Sequence, residues 1–100
     1  MVTRMMEDEE VNLLDIDHVF SILQYLDSRR GEDVLASELR AVMPNYGRMM
    51  LIVRQLERKN LIDIRMETRP RKRYILSLTD KGRIVVKKLL ALDRLIASWQ

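Results

Sequence analysis

The sequence predicts a mainly helical α+β fold, with a three-helix core, a two- or three-stranded sheet built on a β-hairpin, and a long C-terminal helix. Three observations carry that prediction. Apolar residues recur at helical spacing through the first half and again after Thr79; the period shortens to two between Leu61 and Leu78; and a cluster of cations sits where the two alternating runs meet. A chain of 100 residues has room for one core but not two.

The elements follow in order. Residues 1–11 lack periodicity and include four consecutive acids at residues 7–10, so they read as an acidic flexible tail. From Asn12 to Arg29, the residues Ile16, Val19, Phe20, Leu23 and Leu26 recur at helical spacing, with Asp15 and Asp17 near the start, Arg29 and Arg30 near the end and Gly31 as a stop. That span is expected to be the first helix. Val34 and Leu35 can supply a short edge strand. Leu39, Val42 and Met43 mark a short second helix, closed by Pro44 because the residue before a proline is driven out of the α conformation.

Asn45 is placed to cap a third helix beginning at Tyr46. On a wheel of about 100° per residue, Met49, Met50, Val53 and Leu56 share one face, with Tyr46 at its upper end. Gly47, Arg48, Leu51, Arg54, Gln55 and Arg58 share the other, and the run from Met49 to Val53 leaves Leu51 and Ile52 outside the core arc. The second and third helices are separated by about three residues, the spacing of a helix-turn-helix.

Beyond Leu61, Ile62, Ile64 and Met66 alternate with Asp63, Arg65 and Glu67. After a short polar loop, Tyr74, Leu76 and Leu78 alternate with Arg73, Ile75 and Ser77. Two such runs form an antiparallel hairpin, and Pro70 fixes φ in its tip, Thr68 to Lys72. Thr79 then caps a last helix, with Asp80 in its first turn. Val85, Leu89, Leu92, Ile96 and Trp99 lie along it at spacings of four and three, a heptad-like stripe. The expected division is a tail over 1–11, a folded domain over 12–79 and a dimerisation helix over 80–100.

Composition narrows the function classes. An apolar fraction of 47% and a charged fraction of 33% fit a soluble protein, and no apolar run approaches the ~20 residues that span a bilayer. With no cysteine, disulfides and thiolate metal sites are excluded, and a cytoplasmic location is expected. The net charge of +3 is unevenly spread: four Lys or Arg face ten Asp or Glu as far as Asn45, against fourteen facing five from Tyr46 onward. Such polarity points one face toward a polyanion, nucleic acid being the commonest large one.

Two segments carry a resemblance. LERKNLI (Leu56 to Ile62) looks like the end of a recognition helix entering a wing strand, and LSLTDKG (Leu76 to Gly82) is similar to an LT-x-KG junction between wing and following helix. In this order and separation they resemble the winged helix-turn-helix family, most closely the small MarR-like and PadR-like transcriptional regulators of archaea and bacteria. The resemblance covers roughly residues 13 to 98. It implies a sequence-specific binder of double-stranded DNA, a transcriptional regulator with its third helix in the major groove and its hairpin as a wing.

The residues themselves support that role. Arg65, Arg69, Arg71, Lys72 and Arg73 put five cations on one ribbon against Glu67, suited to phosphate oxygens or to the minor groove. On the third helix Arg48 and Gln55 have the chemistry for guanine and adenine edges, and Arg54 and Arg58 for phosphates. Gly47, Arg48 and Leu51 lie toward the N-terminal end that usually reaches bases, while Tyr46 can offer its hydroxyl to a phosphate or pack at the helix start. Leu51 can meet a thymine methyl or a partner protein, so a winged-helix protein-interaction module without DNA binding is the alternative. A structured-RNA binder is a third.

The apolar stripe of the last helix, Val85, Leu89, Leu92, Ile96 and Trp99, exceeds what so small a core can cover, which predicts a homodimer presenting two recognition helices. A single histidine, His18, and three glycines assemble no catalytic group, metal site or phosphate loop, so neither an enzyme nor a cofactor is expected. No residue pattern points to a small-molecule effector.

Overall fold

The computed structural model describes residues 12–98. A 3-10 turn, Leu13–Asp15, precedes α1, Val19–Ser28; β1, Val34–Leu35, leads into a 3-10 helix, Ala36–Ala41; then come α2, Tyr46–Arg58, β2, Ile62–Glu67, β3, Arg73–Leu78, and α3, Asp80–Ser98. The strands form one antiparallel sheet in the order β1-β3-β2. This is the predicted winged helix-turn-helix architecture, with α2 as the third helix of the sequence reading.

The expected first helix from Asn12 to Arg29 is shorter than its apolar spacing implied. His18 adopts a left-handed conformation, φ 71°, so the α-helix starts only at Val19. Ahead of it, Asp15 N–H donates to the Asn12 carbonyl at 2.9 Å and closes a separate 3-10 turn. Ile16 still packs on the core from outside the helix, which is why it had kept helical register. The buried face is Val19, Ile22, Leu23 and Leu26; Phe20, expected there, is half-buried outside the main cluster.

The second helix is 3-10 rather than α, and it is tied back to α1 through one carboxylate. Glu38 accepts from the Leu35 N–H at 3.1 Å, from the Tyr25 hydroxyl at 3.0 Å and from Arg29. The hydrogen bond from Leu35 leads, and with Arg29 and Tyr25 it holds the Glu38 carboxyl below the usual carboxylate range against the opposing effect of burial. A depressed folded-state pKa contributes stability above the unfolded value, and that contribution is lost as pH falls through the folded one. Glu38→Gln is therefore expected to cost about 1–2 kcal/mol at neutral pH, the scale of a lost helix-start contact and a charge-assisted bond. Its penalty should shrink on acidification below about pH 4; thermal melts across that range check this.

In α2 the core stripe is Met49, Ile52, Val53 and Leu56, all buried. This corrects the placement of Ile52 outside the core. Ile52 lies about 60° from Met49 on the wheel, whereas Met50, about 100° away, is only half-buried. Leu51, 68% exposed, does point outward. Asn45 caps the helix as predicted, its side chain accepting from Arg48 N–H at 2.9 Å.

At the C-terminal end of α2, Asn60 takes a left-handed φ of 64°, Asn60 N–H donates to Glu57 O and Leu61 N–H to Leu56 O, both at 2.9 Å. These paired bonds form a Schellman closure that turns the chain into β2. Thr79 sits against the same corner: its N–H donates to Leu61 O at 3.0 Å and its hydroxyl to Asn60 O at 2.7 Å, while accepting from Gly82 N–H at 2.9 Å as the cap of α3. The LERKNLI and LTDKG segments are thus the two halves of one joint.

Candidate nucleic-acid interface

The hairpin register places Ile62 opposite Leu78, Ile64 opposite Leu76 and Met66 opposite Tyr74 on one face. Ile62, Leu76 and Leu78 are buried there and Tyr74 packs half-buried against the core, but Met66 is 52% exposed, so the β2 side of the ribbon leaves the core toward its tip. The other face pairs Arg65 with Ile75 and Glu67 with Arg73. Ile75, on that outer face, is also buried: β3 is the central strand, and Leu35 of β1 and Arg65 of β2 flank it.

The five hairpin cations are not equivalent. Arg73 donates to Glu67 from Nε at 3.0 Å and from a terminal nitrogen at 2.8 Å; Arg65 lies 3.6 Å from both Glu67 and Asp33. Arg73 first, and Arg65 with it, hold the Glu67 carboxyl below its usual range. Arg69, Arg71 and Lys72 form no ion pair among the described residues and are exposed. The free charge of the wing is concentrated in its tip, around the cis Arg69–Pro70 peptide. Exposed ion pairs contribute little, so Arg65 and Arg73 can exchange Glu67 for a stronger anion at small cost.

On α2, Gly47, Arg48, Leu51, Arg54 and Arg58 are exposed, with Gln55 and Tyr46 half-buried. Arg54 bridges to Glu57 at 3.5 Å and lies 5.5 Å from the centre of the Tyr74 ring; Lys72 lies 5.6 Å from the centre of the same ring. Helix and wing therefore form one continuous cationic surface hinged on Tyr74. Neither Tyr74 nor Arg40, which stacks 5.2 Å from the Tyr46 ring, stood out in the sequence. No spacing rule links residue 40 to 46, or 54 to 74; only the fold brings them together.

Between this helix start and the hairpin tip lies a cleft of about 500 Å³, lined in part by Leu35, Ser37, Arg40, Tyr46, Arg71 and Tyr74. In its second half the last helix leaves the core. Val85 and Leu89 are half-buried against it, whereas every residue from Ala91 to Ser98 is exposed, including Leu92, Leu95 and Ile96 at 54%, 52% and 73%. Trp99, the last residue of the expected stripe, lies outside the described residues, as does the tail over 1–11. Among the described residues no group of acids and histidines could hold a metal, and no helix is long and apolar enough to cross a membrane.

A family model described as HxlR-like helix-turn-helix matches residues 20–100. The chain belongs to the HxlR-like helix-turn-helix family. It is thereby one of a group of DNA-binding transcriptional regulators, not of enzymes. Among solved structures it is similar to a transcriptional regulator homologue from Pyrococcus horikoshii OT3, with 24% identity and a TM-score of 0.73 over 94% of each chain. It is also similar to a mutant of MepR from S. aureus, with 18% identity and a TM-score of 0.66 over 97% of this chain and 75% of that one. At such identities these two likenesses speak for the fold. No curated protein matches significantly. The HxlR-like match spans both the LERKNLI and LTDKG segments, whose joint sets the angle between reading helix, wing and last helix.

Proposed function

We propose that this HxlR-like protein is a sequence-specific regulator that grips double-stranded DNA as a homodimer, with α2 in the major groove and the wing on the backbone or in the minor groove. The observation that carries the reading is the continuous cationic surface in which Arg54 of α2 and Lys72 of the wing share the Tyr74 ring. Arg48, Leu51 and Gln55 face base edges, Gly47 lets the backbone come close, and Tyr46, Arg54 and Arg58 serve phosphates. Arg69, Arg71 and Lys72 supply the wing's affinity, with Arg65 and Arg73 recruited from Glu67. A cytoplasmic setting follows from such a role. The rival interaction-module reading is weakened by the burial of Ile52, which leaves Leu51 as a lone apolar side chain rather than a patch.

Selection of bound sequences from random duplexes tests this reading. Wild type is expected to enrich a two-fold symmetric site, and Arg48→Ala to lose about 1–3 kcal/mol of discrimination at one base position per half-site while still binding. Enrichment unchanged by Arg48→Ala would remove that residue from base reading.

The second half of α3 is the dimerisation surface in this reading. Leu92 and Ile96 are its exposed part, Val85 and Leu89 anchor the helix to its own core, and Trp99 continues the same stripe. Each large side chain covered by a partner helix contributes about 1.5–3 kcal/mol. A double change, Leu92→Asp with Ile96→Asp, is expected to give a folded monomer in sedimentation equilibrium; a monomeric wild type would remove the dimer.

A further inference from the structure

The cleft between wing tip and reading helix has a composition that the interface so far leaves unused. Its wall carries Arg40, Arg71, Lys72 and Arg73 and the rings of Tyr46 and Tyr74, and no acidic residue. Of the four cations, Arg73 is paired with Glu67 outside the cleft, as Arg54 and Arg65 are paired with Glu57 and Asp33 elsewhere on this surface. Arg40, Arg71 and Lys72 have no ion pair among the described residues, and Arg40 and Lys72 are instead held over the two tyrosine rings. Like charges gathered around a concavity repel one another, and an anion seated among them relieves that repulsion. The volume, about 500 Å³, suits a nucleotide-sized group rather than a bare ion.

Position selects the occupant. One rim of the cleft is the start of α2 and the other is the hairpin tip. If the first enters a major groove and the second reaches the neighbouring minor groove, the strand dividing those grooves must pass between them. We propose that the cleft seats one sugar–phosphate unit of that dividing strand, with the Arg40 guanidinium forked on the phosphate and the Tyr46 and Tyr74 rings against the sugar. The assignment rests on the DNA-binding reading and adds Arg40, from the 3-10 helix, as a phosphate-binding residue. A guanidinium supplies two parallel N–H donors to a phosphate, which a lysine ammonium does not.

Fluorescence anisotropy with a labelled duplex, read across a salt series, tests the assignment. Arg40→Ala is expected to weaken binding about tenfold at low salt and to lower the log–log salt slope by about 0.9, the value of one phosphate contact. Arg40→Lys should restore the slope with only part of the affinity. Lys87→Gln, which removes an exposed cation of α3 that does not line the cleft, should leave the slope unchanged. A neutral methylphosphonate moved along the duplex should cost wild type a similar factor at one position and cost Arg40→Ala nothing there. Wild-type binding that Arg40→Ala matches in affinity and slope would overturn the cleft assignment alone. No duplex binding by wild type would overturn the DNA-binding reading and the assignment together. AMP distinguishes a free nucleotide from the DNA strand: it should displace duplex no better than inorganic phosphate, and Arg40-dependent displacement at micromolar AMP would overturn the strand as occupant.

Discussion

Replacing Arg69, Arg71 and Lys72 together with Glu is expected to abolish duplex binding while leaving the protein folded. The three cations are exposed at the tip and free of ion pairs among the described residues, so their removal breaks no ion pair, and the contact it removes is that of Lys72 with the Tyr74 ring. Each charge-assisted bond to a phosphate contributes about 1.5 kcal/mol or more, and losing three amounts to roughly a thousand-fold in affinity before the added repulsion of three carboxylates is counted. The same substitution at Arg65 and Arg73 is expected to do less to binding and more to the hairpin, because Glu67 would lose both of its partners. Retardation of duplex DNA at low salt, with a thermal melt beside it, separates the two outcomes. A triple variant that binds as wild type does would move the affinity to α2 and leave the wing as a solvated edge.

What the sequence made legible was set by which signals are local. The hairpin was readable residue by residue because a period of two admits one face assignment, and the observed register matches it from Ile62–Leu78 to Glu67–Arg73. Thr79, Asn45 and Gly31 were readable because caps and stops act on the nearest turn. The boundary of α1 was not, since a left-handed His18 leaves no mark on apolar spacing: Ile16 keeps its place on the core whether or not the backbone there is helical. Ile52 was misplaced because consecutive apolar residues fit several wheel centres, and the neighbouring elements chose among them. The cation–ring stacks of Arg40 on Tyr46 and of Arg54 and Lys72 on Tyr74 are products of tertiary structure alone. The distinction between free and paired wing cations belongs with them, because Asp33 reaches Arg65 from a distant segment of the chain.

Gly82→Ala is expected to be the most damaging single substitution for stability, although glycine to alanine within a helix normally stabilises by about 1 kcal/mol. A Cβ at residue 82 would stand 2.0 Å from Leu61 O, 3.0 Å from Leu61 C and 3.1 Å from the Leu78 side chain. The first two are backbone atoms of the corner held by the Schellman closure and by Thr79, so they cannot swing aside as a flexible side chain would. Either α3 lifts from the sheet, stretching the bond from Thr79 N–H to Leu61 O, or the corner leaving α2 deforms. Overpacking of this kind costs about 3 kcal/mol or more, which for a domain of this size lowers the melting temperature by roughly 12 °C or more. Gly47→Ala is the control, because among the described residues the only atom within 4 Å of its Cβ is Asn45 Oδ1 at 3.7 Å and the ordinary helical gain should appear. Opposite signs for two glycine-to-alanine changes in helices of one protein would fix the cause as the close approach at Leu61. A stabilised Gly82→Ala would mean that the α3 start and the α2 corner do not touch in solution, and the shared joint of the LERKNLI and LTDKG segments would fall with it.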